Sequence, residues 1–280
     1  MTDRSAPIGV FDSGVGGLTV LRALQSELSG EHFIYLGDTA RLPYGTKDSD
    51  TVVRYALQSG QALIDRGVKA LIVACNTASA VAMPAMAQRY RDLPLIGVVH
   101  PGADAAVAAT RSGQIAVIGT EATVRGGAYQ RAILARRPDA RVTARACQLF
   151  VALAEEGWTE GAIARAVAER YLGPLFGAEA RERHDSADTL VLGCTHFPML
   201  RDTIRAVIGT EVAIVDSAAI TAATARTLLR ERGLINGVTH EVGVQPLQLL
   251  ATDGAARFAA IGSRFLGRPI EAREVELIDL

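Results

Sequence analysis

The stretch IGVFDSGVGGLTVLRALQSEL, residues 8–28, carries a strand, a turn and a helix in succession. Ile8 to Phe11 is brief, continuous and β-branched, without the alternation of a half-exposed strand. Such a run suits a strand buried on both faces of a parallel sheet. Asp12 and Ser13 stand at its end, and Gly14 to Gly17 turn the chain. Leu18, Leu21, Leu24 and Leu28 then fall on one stripe of a helix.

The same succession recurs along the chain. Short apolar runs stand at Phe33–Leu36, Leu71–Ala74, Leu95–Val99, Ile115–Ile118, Leu190–Leu192 and Val212–Val215. Helix-like segments lie between them, at Thr51–Arg66, Thr123–Arg136, Glu160–Phe176 and Ala218–Glu231. Alternation of this kind predicts an α/β fold with parallel sheets. A length of 280 residues fits one large domain or two smaller ones, and 49% hydrophobic residues suffice for their cores.

A faint internal duplication favours two domains. Ile8-Gly-Val-Phe-Asp-Ser13 is followed by Leu71-Ile-Val-Ala-Cys-Asn-Thr77, and Ile115-Ala-Val-Ile-Gly-Thr120 by Leu190-Val-Leu-Gly-Cys-Thr-His196. In each half a later strand ends in cysteine followed by hydrogen-bonding side chains. Ligands of parallel sheets bind beyond the carboxyl ends of strands. Two such half-sites face to face make a cleft with one cysteine on each wall. Crossovers are expected around Val99–Gly102, with His100 in the connecting loop, and near Gly209. That division gives one lobe of residues 1–98 plus 210–280 and a second of residues 99–209.

Composition narrows the function. With a net charge of −1 there is no basic field to attract nucleic acid. No apolar run approaches the roughly 20 residues of a membrane helix, and the start of the chain does not read as a signal peptide. The expectation is a soluble, cytoplasmic protein with no membrane partner. The three cysteines, at 75, 147 and 194, are too few and too oddly numbered for a disulfide framework. No CxxC or HxxxH spacing suggests a metal site. Thr19 occupies the last position of what would be GxGxxG, so a dinucleotide fold is poorly supported.

Cys75 and Cys194 each follow a buried run and precede the start of a helix. Unpaired N–H groups and the positive end of the dipole there lower a thiol pKa. An unperturbed thiol is only about 3% thiolate at neutral pH. Taken singly, each cysteine reads equally well as a small buried hydrophobe; their matched settings favour chemistry. Cys147 lacks such a setting and reads as structural. Asp12 leaves its strand toward the cleft, where it can hold an ammonium group or tune Cys75. His196 lies two residues from Cys194 and can tune it. Glu155 or Glu156 can serve as a supporting carboxylate or as a solvated helix end. Pro43-Tyr-Gly45 is a turn by composition.

With these pieces placed, the chain closely resembles the glutamate racemases of the aspartate/glutamate racemase superfamily. The matching blocks are IGVFDSGVGGLTVL at 8–21, YLGDTARLPYGTK at 35–47, IVACNTASA at 72–80, VIGTEATV at 117–124, LFVALAEEGW at 149–158, LGCTHFPML at 192–200 and VDSA at 215–218. They run in family order over nearly the whole chain. The resemblance implies two pseudo-symmetric α/β lobes with the active site between them. It implies no cofactor, glutamate as the small-molecule substrate, and D-glutamate supply for peptidoglycan; it leaves room for a homodimer. By position it implies Cys75 and Cys194 as paired acid and base. Asp12, Ser13, Pro43, Tyr44, Gly45, Asn76, Thr77, Thr195 and His196 are then expected to contact substrate or tune a thiol. Thr120 and Thr123 help bind carboxylates, and Glu155 is the family carboxylate of its pair. Two positions depart from the pattern: Ala152, where proline is frequent, and His100, where residues vary.

Three other readings stay open on sequence alone. Aspartate racemisation differs by one substrate methylene. A non-catalytic anion-binding module uses the same donors without proton transfer. A cysteine hydrolase built on Cys194 and His196 leaves Cys75 without a task.

Overall fold

A computed structural model of the chain describes residues 3–178, 186–238 and 246–280. The strands are β1 (Ile8–Asp12), β2 (Phe33–Gly37), β3 (Ala70–Val73), β4 (Leu95–Gly97), β5 (Gln114–Gly119), β6 (Arg141–Ala146), β7 (Thr189–Gly193), β8 (Ala213–Asp216), β9 (Leu247–Ala251) and β10 (Val275–Leu277). They form two sheets, parallel throughout. One has the order β10-β9-β2-β1-β3-β4 and the other β6-β5-β7-β8. β1, β2 and β7 are buried along their whole length, as their unbroken apolar runs require.

The helices are α1 (Leu18–Glu27), α2 (Ser49–Ile64), α3 (Asn76–Val81), α4 (Met83–Arg89), α5 (Val99–Ala109), α6 (Glu121–Gly126), α7 (Ala128–Arg136), α8 (Leu149–Glu156), α9 (Gly161–Phe176), α10 (Arg201–Ile208), α11 (Ser217–Glu231) and α12 (Ala255–Leu266). The expected leucine stripe of α1 is buried at Leu18, Leu21 and Leu24. One continuous apolar core carries Val10 and Ile72 of the first sheet and Ile118 and Leu192 of the second. Among the described residues, no helix is long and apolar enough to cross a membrane.

The chain passes between the sheets through α5 and α11. The first passage is helical, not the loop expected at Val99–Gly102. Pro101 sits in the first turn of α5, where its missing N–H costs nothing. Gly102 donates to the Val98 carbonyl at 3.1 Å. His100 accordingly lies on a helix, exposed, with Nδ1 3.4 Å from the Arg136 guanidinium. The return also differs. The Val212–Val215 run pairs with β7, Leu190 opposite Ile214, so the second sheet continues to Asp216. We therefore propose the lobe division at Asp216 and not at Gly209.

Three strands lack the apolar signature sought in the sequence. β6 is an edge strand that reads Arg-Val-Thr-Ala-Arg-Ala and is only half-buried. β10 is a three-residue edge with two exposed positions, and β9 begins half-exposed. Edge position relaxes the demand for burial on both faces, so β6 and β10 carry polar residues; β9, one strand in from the edge, is buried over Leu249–Ala251 and exposes only Gln248.

Candidate active site

Each sheet delivers its polar residues at the carboxyl ends of its central strands. At the end of β1, Asp12 is fully buried, and Oδ2 accepts the Gly14 N–H at 3.0 Å. Its Oδ1 has no hydrogen-bond partner. Gly17 makes the turn possible, since a β-carbon there would lie 2.5 Å from Asp12 Cβ. At the end of β3, Cys75 caps α3, with Sγ accepting the Ala78 N–H at 3.5 Å. The Cys75 thiol points to Ser13 Oγ at 3.6 Å. At the end of β7, Cys194 Sγ lies 3.8 Å from His196 Nδ1. His196 Nε2 meets Glu155 Oε1 at 3.2 Å.

These ends converge on one cavity of about 40 Å³, lined by both Cys75 and Cys194. Ser13, Pro43, Tyr44, Gly45, Asn76, Thr77, Thr120, Glu155, Thr195 and His196 share its wall. Asp12 and Thr123 do not line it. Asp12 stands behind Ser13 and Gly14. Thr123 closes a triangle of hydroxyls with Thr77 and Thr120, at 3.2 and 3.0 Å, while Thr77 and Thr120 lie 3.0 Å apart. That triangle joins α3 of the first lobe to α6 of the second. Gly45 extends the junction, because a β-carbon there would fall 2.6 Å from Thr120 Cβ. Cys147 is buried away from the cavity, its thiol 3.8 Å from the Arg145 carbonyl.

The two sulfurs stand in different fields. Burial pushes the Cys75 thiol up to about 12, and the Asp12 carboxylate adds to the rise. Hydrogen bonds from Ala78 and Ser13 oppose this without overcoming it. The lowering expected from helix-start N–H groups is thus outweighed at Cys75, because a short helix supplies less than desolvation removes. His196 is held up to about 10: burial favours the neutral ring, but hydrogen bonds to Cys194 and Glu155 prevail, helped by the Asp12 charge. The hydrogen bond from His196 holds the Glu155 carboxyl below its ordinary value, and Arg257 adds to that.

Gln148, Leu42 and Val151 escape motif reading, while Asn76 and Tyr44 were expected and gain their partners here. Gln148 lines the cavity with Oε1 unpartnered, and Asn76 Nδ2 is a buried donor without a partner. Asn76 Oδ1 is fixed by the Tyr129 hydroxyl at 2.6 Å, which leaves Nδ2 free. Tyr44 donates to Asp38, which also holds Arg41 and the Thr252 hydroxyl. Leu42 and Val151 supply apolar wall. Only adjacency to the Tyr44 and Glu155 blocks signalled these positions. Among the described residues, no group of three or more His, Cys, Asp or Glu side chains is arranged to hold a metal ion.

Residues 8–225 match the profile of the Asp/Glu/Hydantoin racemase family. The chain is 49% identical to the glutamate racemase of Geobacter metallireducens over 93% of its own length and 92% of that protein's. It is 43% identical to the glutamate racemase of Neisseria meningitidis over 99% of its length and 98% of that protein's. Its structure is similar to that of Francisella tularensis glutamate racemase in complex with D-glutamate. There the TM-score is 0.88 at 34% identity, covering 99% of this chain and 98% of the other.

Proposed function

The chain belongs to the Asp/Glu/Hydantoin racemase family, and from that premise we propose that it interconverts L- and D-glutamate by proton transfer between Cys75, Cα and Cys194. The observation that carries the reading is one cavity walled by a thiol from each sheet. A two-base racemase needs one group on each face of Cα. One sulfur, as thiolate, takes the α-proton; the other, as thiol, delivers a proton to the opposite face. After one turnover the two sulfurs have exchanged protonation states.

The asymmetry of the site supports a resting state with the proton on Cys75 and the imidazolium beside Cys194. Substrate changes that balance. Asp12 lies behind the Ser13–Gly14 wall, so an ammonium group held near that wall acts on it through its charge, and a cation there offsets the charge that holds the Cys75 proton. The Asn76 amide and the Thr77 and Thr120 hydroxyls suit carboxylate oxygens. The α-proton is weakly acidic, so these donors must stabilise charge as it develops on the α-carboxylate. The cavity has room for only a few waters, each needing about 10–15 Å³. Entry of an amino acid therefore requires the walls to part, and their return excludes solvent from the carbanion.

The deciding measurement follows optical rotation or circular dichroism with each glutamate enantiomer, alongside deuterium incorporation at Cα in heavy water. Glutamate is expected to racemise with exchange. Tight binding without exchange would instead favour the anion-binding module. Faster turnover of aspartate would move the substrate by one methylene, worth about 1–3 kcal/mol of discrimination. The identity to named glutamate racemases favours glutamate. Peptidoglycan synthesis is the proposed destination of the D-glutamate, tested by complementing a bacterial strain that requires D-glutamate for growth.

A further inference from the structure

We propose that α12 of the first lobe is the positioning element of the Cys194–His196 pair, with Arg257, Arg264 and Phe265 together fixing Glu155 and the imidazole it holds. Its catalytic consequence rests on the racemase reading above. Arg257 Nη2 lies 3.2 Å from Glu155 Oε2. Arg264 donates to the Glu155 main-chain carbonyl. The Phe265 ring meets the His196 ring edge-on, with centroids 5.2 Å apart and planes at 73°. Residues 257, 264 and 265 are spaced by seven and eight, so they share one face of α12.

Glu155 needs such support because of where it sits. It occupies the last turn of α8, where main-chain carbonyls lack helical partners and the dipole opposes a carboxylate. Arg264 satisfies one carbonyl, and Arg257 takes one carboxylate oxygen. Oε1 is thereby left for His196. An exposed ion pair contributes little by itself. Here three contacts from one helix converge on a single Glu–His unit, and they reach it from the opposite lobe. The groups facing His196 are Cys194 and Thr195 beside it, Glu155 from α8, the Asp12 charge from β1 and the Phe265 ring from α12.

The test is the double variant Arg257→Gln/Arg264→Gln in the full chain. Carbon-13 histidine labelling reads the His196 ring, assigned with His196→Asn. Loss of positioning lets Glu155 turn away, and at least threefold more neutral imidazole is expected at pH 9. Simple removal of positive charge acts in the other direction and makes the ring hold its proton more tightly. An unchanged or more protonated ring therefore overturns the proposal. The single Arg257→Gln variant, altered at an exposed side chain, carries the same test with a smaller shift of the same sign. In α-proton exchange, kcat is expected to fall at least fivefold while KM moves less than twofold. If the wild-type protein does not exchange glutamate, the racemase reading fails, and the NMR result still decides the positioning role.

Discussion

Gly16 of the first lobe abuts His196 of the second: a β-carbon at position 16 would lie 2.6 Å from the imidazole and 2.3 Å from the Thr195 hydroxyl. The lobes meet at His196 with no room for a methyl group. Gly16→Ala is therefore expected to displace the ring from Cys194 and not to unfold a lobe, since the clash lies between lobes. Turnover should fall at least tenfold, equivalent to about 1.4 kcal/mol in the barrier, while the thermal midpoint changes little. Wild-type kinetics in this variant would show that the ring yields freely.

In the proposed two-thiol mechanism, replacing either sulfur removes one of two proton carriers. A serine hydroxyl is too weak an acid to stand in for a thiol, and positioned acid–base groups contribute about 10²–10⁴-fold. Cys75→Ser and Cys194→Ser are each expected to lose racemisation by at least that much. Cys147→Ser should retain it, because Cys147 lies outside the cavity. Full activity in either of the first two variants would eliminate the two-thiol mechanism.

Much of this arrangement was legible in the chain, for physical reasons. Strands buried on both faces must be apolar throughout, which exposed β1, β3, β5 and β7 and hence the residues at their ends. Edge strands escape that constraint, so β6 and β10 were invisible. Pro101-Gly102 reads as a breaker by local propensity, yet a first helical turn tolerates both. The thiols' placement was legible, and so was Asp12 as a group able to tune Cys75; the upward direction at Cys75 was not, because burial sets it. Gln148, Arg257 and Arg264 act through contacts between segments far apart in the chain, and no local spacing reports those.

The His196 shift links stability to pH. Its folded value of about 10 lies above the ordinary 6.5, so folding favours the protonated ring. That contribution is fully present below about 6.5 and is lost as pH rises through about 10. Between those limits the folded ring keeps a proton that the unfolded ring has released, which lowers stability by about 1.4 kcal/mol per pH unit where Cys194 keeps its own proton. Cys75 and Cys147 act in the same direction only above 9. The Glu155 carboxyl, held below its ordinary value, acts on the acid side. Urea unfolding at pH 7, 8 and 9 should therefore show the wild type losing stability faster than His196→Asn. Parallel slopes would mean the folded ring titrates near its ordinary value.

The buried pair Lys69–Glu31 predicts a stability effect separate from catalysis. The Lys69 side chain is fully buried, and its ammonium holds Glu31 and the Arg4 carbonyl, the latter at 2.5 Å. Glu31 Oε1 also accepts the Asn236 N–H at 2.8 Å. The pair thus fastens two distant segments, at Arg4 and Asn236, to the amino-terminal side of the first sheet. Lys69→Met leaves the Glu31 carboxylate buried with one main-chain donor, a loss of about 3–5 kcal/mol for a broken buried pair. Adding Glu31→Gln removes the stranded charge and keeps an acceptor for Asn236. The double variant should therefore be more stable than Lys69→Met, as read from urea midpoints. If the second substitution lowers stability further, the cost lies in packing around Lys69 and not in an unpaired carboxylate.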